Sequence, residues 1–194
     1  MKKLVFAVIG CFYATLLFAQ EDSLLNRRIA QFLKANTEMN FERVLDFTYP
    51  KLFTIAPRNE MAKMLQAGFS NDQVSISLDS LKTTAVFPVF TLAQGSYAKV
   101  VYTMKMQMQL KNTETSPEKQ KEKNEMMLAV MQSQFGERVS MDSSGLIIAY
   151  TSAVMVAVKD SYTRQWCFVN LKENDPLTRQ LFSTEVLEKL ATYK

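Results

Sequence analysis

Methionine recurs at 104, 106 and 108 in the stretch Tyr102-Thr103-Met104-Lys105-Met106-Gln107-Met108. Thioethers are soft ligands suited to Cu(I), and a period of two places these sulfurs on one face of a strand. The same alternation is what a half-buried strand needs to build a core, and Tyr102 and Leu110 continue it. Packing is the simpler reading, with Cu(I) binding by Met104, Met106 and Met108 as the alternative. Met126, Met127 and Met131 further on either add sulfur or pack against that face. Asp46 and Tyr49 form a second constellation, three residues apart at the end of a helical pattern. An acid beside a phenol in apolar surroundings takes a proton and stabilises the resulting charge, the chemistry of a lyase or isomerase. The bland reading is an exposed aspartate beside a tyrosine packed through its ring. Tyr102, Tyr150 and Trp166 fall on separate strand patterns and line a pocket together if their faces coincide.

Much other chemistry is excluded. The chain has no histidine, so Ser-His-Asp triads, Cys–His pairs and His-ligated metals cannot be built. Its five glycines are unclustered, which rules out a Gly-rich phosphate loop. No cofactor is expected.

These residues must be held by elements that the periodicity outlines. Residues 22–36 read as a helix with Leu25, Ile29, Phe32 and Leu33 on one face. Phe41, Val44, Leu45 and Thr48 give a second helix that should stop near Tyr49, because Pro50 disfavours helical dihedrals in its predecessor. Pro57 suits the start of a third, with Met61, Met64, Leu65 and Gly68 on its face. Alternation then takes over: strands are expected at 73–79, 84–93, 97–110, 139–141, 146–159 and 162–171. Pro88 puts the second of these at an edge or a bulge. In the third, Lys99, Thr103, Lys105, Gln107 and Gln109 point away from the apolar side. A charged segment over 111–125 leads into a helix with Met127, Val130, Met131 and Phe135 on one face, ended by Gly136. Asp175-Pro176 reads as the cap and first residue of a C-terminal helix. Helices and strands segregate along the chain, which predicts an α+β domain with a mainly antiparallel sheet.

The first nineteen residues carry an address. Lys2 and Lys3 precede an uncharged run over 4–19, and Ala19 suits the position before a cleavage site. A spanning helix needs about 20 apolar residues, so the run reads as a signal peptide cleaved after Ala19. An uncleaved anchor and lipoprotein processing at Cys11, within Val8-Ile9-Gly10-Cys11, are the alternatives. Cleavage leaves one domain over 20–194, secreted and periplasmic, with no stable membrane span. Losing Lys2 and Lys3 takes the net charge from +4 to +2. That charge has no basic stripe behind it, so nucleic-acid binding is not expected. Cys167 is then the sole cysteine, set in apolar Trp166-Cys167-Phe168-Val169, and reads as a buried thiol.

The order of elements, with Asp46-Phe47-Thr48-Tyr49-Pro50-Lys51-Leu52-Phe53 and Arg164-Gln165-Trp166-Cys167-Phe168-Val169, resembles the NTF2-like (cystatin-superfold) class, specifically small secreted proteins of Bacteroidetes type. The resemblance spans roughly 22–171. It implies a cone in which a curved antiparallel sheet wraps N-terminal helices, here with an inserted helix at 117–137 and a short C-terminal helix. It also implies an apolar pocket inside the cone and a possible homodimer through the outer sheet face. That face is polar at Thr103, Lys105 and Gln107, which argues against a greasy obligate interface. The expected function is a non-catalytic binding module for a small apolar ligand or a protein partner. Its expected lining is Tyr49, Phe53, Tyr102, Met104, Met106, Tyr150 and Trp166. A ketosteroid-isomerase-like activity of Asp46 and Tyr49 and Met-based Cu(I) binding remain the alternatives.

Overall fold

The computed structural model describes residues 23–92, 95–111, 116–172 and 175–194. The expected signal peptide, its expected cleavage after Ala19 and Cys11 lie outside these residues. Helix α1 runs over 23–37, and its predicted stripe of Leu25, Ile29, Phe32 and Leu33 is buried. Helix α2, Phe41–Phe47, starts on an Asn40 side chain that accepts from the Arg43 N–H. It stops before Pro50, with Thr48 already extended. A 3-10 turn over Pro50–Thr54 leads to α3, Arg58–Phe69. No residue of α3 is buried, and Met64 projects into solvent.

Six strands follow in one sheet: β1 Val74–Val86, β2 Phe90–Leu92, β3 Gly95–Leu110, β4 Val139–Met141, β5 Leu146–Lys159 and β6 Cys167–Asn170. The long antiparallel pair β3–β5 forms its spine. β1 and β2 share the outer edge of β3, while β4 and β6 share the outer edge of β5. Two expected boundaries differ. The strands expected at 73–79 and 84–93 divide differently: β1 continues through 80–86, and Pro88 sits in the gap before β2. β1 survives because it absorbs register shifts at Asp79/Lys82 and Thr83/Ala85, with Ser80 at φ 54°. Such bulges bend a strand, and the sheet is curved. The last strand is only Cys167–Asn170, because residues 160–165 form turns rather than ladder. At the β4–β5 hairpin, Asp142 Oδ1 accepts from the Ser144 and Leu146 N–H groups, and Gly145 supplies φ 80°.

Register assigns the side chains to faces. Ala98, Val100, Tyr102, Met104, Met106 and Met108 pair with Ala157, Met155, Ala153, Thr151, Ala149 and Ile147. This apolar face is covered along its length. α1 and α2 pack Leu25, Ile29, Phe32, Leu33 and Phe47 against Val100, Tyr102, Met155, Trp166 and Phe168. Helix α4, Pro117–Phe135, covers the other end, with Met131 against Met108, Val139 and Ile147. Val130, expected on that packing face, is exposed, so only the Met127–Met131–Phe135 side of α4 docks. The opposite face is covered at one end alone. Helices α5, Pro176–Leu181, and α6, Thr184–Ala191, set Leu181, Phe182, Val186 and Leu190 against Val156, Val158 and Cys167. As expected, Asp175 caps α5 through the Leu177 N–H and Pro176 is its first residue. The rest of that face carries Ser75, Ser77, Asp79, Thr103, Lys105, Gln107, Tyr150 and Ser152, interspersed with Val101, Ile148 and Val154. The chain is thus an α+β protein on a curved antiparallel sheet.

Candidate functional site

The residues expected to line one interior pocket are distributed over three environments. Tyr102 and Trp166 are buried beneath α1, and Met104 packs on the same cluster. The Tyr102 hydroxyl donates to Asn170 Oδ1 at 3.1 Å. Burial raises its pKa. Met106 and Met108 pack in the cluster beneath α4. Tyr49 is buried on the far side of β6, with its ring stacked on Phe182. Phe53 is half-buried, with the Arg58 guanidinium 5.7 Å from its ring. Tyr150 pairs with Lys105 on the opposite face and is 54% exposed. The space between α1 and the sheet is occupied by the side chains of Leu25, Ile29, Phe32, Phe47, Trp166 and Phe168, each 8% exposed or less.

The acid–phenol pair is not formed. A spacing of three brings side chains together only while a helix continues. α2 ends at Phe47, so Tyr49 turns inward and Asp46 outward. The Asp46 side chain is 65% exposed and pairs with Arg58 Nη2 at 2.8 Å. The Tyr49 hydroxyl instead donates to Asp160 Oδ2 at 2.5 Å. Burial, and then this hydrogen bond, push the Tyr49 pKa well above its ordinary value. A phenol so held is a poor proton shuttle and a good tether. It binds the end of β5 to the segment before Pro50, where Tyr49 N–H also donates to the Phe168 carbonyl. The isomerase arrangement of Asp46 and Tyr49 therefore has no geometric basis.

The methionine run is likewise taken up in packing, with Met104 serving one cluster and Met106 and Met108 another. Among the described residues no group of three His, Cys, Asp or Glu side chains is placed to hold a metal ion. Cys167 is buried, with the Thr163 hydroxyl 3.2 Å from its sulfur. Also among the described residues, no helix is long and apolar enough to cross a membrane.

The open concave spaces lie elsewhere. A groove of about 700 Å³ runs between α1 and the bulged part of β1. Its large apolar groups are Leu33 and Leu81, and the Lys34–Glu38 ion pair at 3.6 Å occupies its rim. A cleft of about 610 Å³ opens where α5 and α6 meet the sheet. Leu171, Leu187, Leu190 and Ala191 give it an apolar lining, and Lys99, Lys172, Arg179 and Lys194 bring positive charge. Asp175 and Glu188 are its acids, and Asp175 is engaged as the α5 cap. Lys99 Nζ reaches the Tyr193 carbonyl and so fixes the end of the wall. A third, smaller cleft of about 290 Å³ lies by Tyr150.

Sequence reasoning missed the 610 Å³ cleft because its wall is assembled from β3, the segment after β6 and both terminal helices. One signal was present: the polar series of β3 begins with a basic residue, Lys99, and the final helix carries Leu187 and Leu190 to dock. Comparison with protein-family models, curated proteins and solved structures finds no match to this chain. Its class rests on its own α+β architecture.

Proposed function

We propose that the protein is a non-catalytic binding module of NTF2-like build, exported to the periplasm, that holds a small apolar ligand bearing an anionic end in the cleft beneath α5 and α6. The observation that carries this reading is the cleft's composition: an apolar lining of Leu171, Leu187, Leu190 and Ala191 beside Lys99, Lys172 and Arg179. At about 610 Å³ it falls within the range of small-molecule sites, roughly 300–1,000 Å³. The apolar wall supplies affinity through burial, and the cations select the charged end. The NTF2-like resemblance favours an interior pocket, but the filled space beneath α1 directs the proposal to the outer face instead.

The test is a calorimetric titration of the protein with decanoate, decanol and decyltrimethylammonium. Decanoate should bind best and decyltrimethylammonium worst. Ala191→Trp, which fills the cleft from an exposed helix position, should abolish binding without unfolding the domain. Equal binding of all three probes, or decanoate binding unaffected by Ala191→Trp, rejects the reading. A protein partner is the second reading, favoured by α3, which buries no residue and shows Met64 to solvent. It gains support if none of the probes binds.

A further inference from the structure

We propose that the uncovered end of the polar sheet face is a second, independent site, one that binds a phosphate or sulfate ester carried on a sugar ring. The 290 Å³ cleft there is lined by Ser80, Lys82, Thr103, Lys105, Arg138 and Tyr150, together with Met104 and Thr151. Its charge is one-sided, with three cations and no acid in the lining.

The register explains why they meet. Lys105 stands directly opposite Tyr150, and Lys82 directly opposite Thr103 on the other neighbour of β3. Arg138 comes immediately before Val139, which pairs with Ala149, so it approaches Tyr150 from the far edge of β5. The tyrosine is thereby flanked by a cation on each side. The bulge between Asp79 and Lys82 is what brings Lys82 into the row. Asp79 is the acid opposite Lys105, but its Oδ1 accepts from the Ser80 N–H at 2.6 Å, which holds the carboxylate at the bulge. Among the described residues, Lys82, Lys105 and Arg138 have no ion pair. Elsewhere on the molecule exposed cations do find acids, as Arg58 does with Glu42 and Asp46. Holding three like charges around one small space raises their mutual repulsion, and an anion relieves it.

The ligand class follows from the rest of the lining. A tetrahedral oxyanion accepts several charge-assisted hydrogen bonds at once, as an Arg with two Lys can supply. The exposed ring of Tyr150 offers a flat apolar platform to a ring carrying that anion. Ser80 and Thr103 add hydroxyls that both donate and accept, which suits a polyhydroxylated ring better than an aromatic base. The volume admits one sugar unit and its ester group.

The experiment is titration of the whole domain, followed by amide NMR, with glucose 6-phosphate, glucose 6-sulfate, inorganic phosphate and glucose. Both esters should bind more tightly than inorganic phosphate, and glucose should not bind. Arg138→Gln and Lys105→Gln should each weaken ester binding by about tenfold or more. Tyr150→Ala should reduce ester affinity to that of inorganic phosphate. All three positions lie on the surface, and unchanged thermal melts verify that the fold is retained. Raising salt should weaken ester binding. The proposal is overturned if neither ester saturates, if Lys105→Gln and Arg138→Gln leave affinity unchanged, or if inorganic phosphate binds as well as the esters with Tyr150→Ala silent. Decanoate binding at the α5–α6 cleft is unaffected by these variants, so failure at one site leaves the other standing.

Discussion

The two faces of the β3–β5 spine are built from the same strands and have opposite fates. One is covered along its length, by α1 at the Val100–Met155 end and by α4 at the Met108–Ile147 end. The other is covered only where α5 and α6 dock on Val156 and Val158. On the covered face, side chains of Phe32, Trp166 and Phe168 complete a core. On the other, helix ends and bare strand leave concave space beside Lys99 and beside Tyr150. The contrast separates stability from recognition: apolar alternation that makes a good core fills the very space where a cone would keep its pocket.

Substitutions on the covered face should therefore change stability, and those on the other face should change binding. The largest effect is expected from Phe168→Ala, at 1% exposure and with its ring centroid 5.0 Å from that of Phe32. It should cost about 3–5 kcal/mol by urea unfolding. Met108→Ala, at the methionine end of the same face, should cost about 2 kcal/mol, because flexible neighbours such as Met131 relax into the space. A larger loss for Met108 than for Phe168 would break this ordering.

Tyr49→Phe comes next, at about 1–2 kcal/mol, since it leaves Oδ2 of the half-buried Asp160 without a donor while Oδ1 keeps the Tyr162 N–H. Its pH signature has a definite sign. The folded-state pKa of Tyr49 is raised above the ordinary 10.0, so the native state keeps a proton that the unfolded chain gives up. That contribution is complete below pH 10 and is lost as pH rises further. The variant should thus show a shallower loss of stability in alkali. Some slope should remain from Tyr97 and Tyr102, whose pKa values are also raised. Removing the α5 cap by Asp175→Ala should cost about 1 kcal/mol, read from the thermal midpoint. The smallest effect on stability, within about 0.5 kcal/mol, is expected for Lys105→Gln on the open face.

Much of this division was legible in the sequence. The period-two run from Ala98 to Leu110 fixed which residues of β3 face the core and which face out, because alternation depends only on the backbone. Pro50 and Asp175-Pro176 marked boundaries through local steric rules. What stayed hidden depends on distant partners. The hydrogen bond from Tyr49 to Asp160 joins residues 111 positions apart, and no spacing rule reaches that far. Local spacing coupled Tyr49 to Asp46 instead, and the extended Thr48 undid that coupling. Tyr150 was grouped with Tyr102 and Trp166 by residue type, but its pairing with Lys105 assigns it to the other face. Neither cleft could be read from one segment, since each takes its wall from elements that meet only in the folded chain.

The central claim is that the ligand sits on the sheet face beneath α5 and α6, not in the space beneath α1. Methyl-resolved NMR of the protein titrated with decanoate tests it most directly. The account predicts saturable shifts at the methyls of Leu171, Leu187, Leu190 and Ala191, with Ile29, Val100 and Met155 unmoved. Shifts at Ile29, Val100 and Met155 with a silent α6 would contradict it and return the site to the interior.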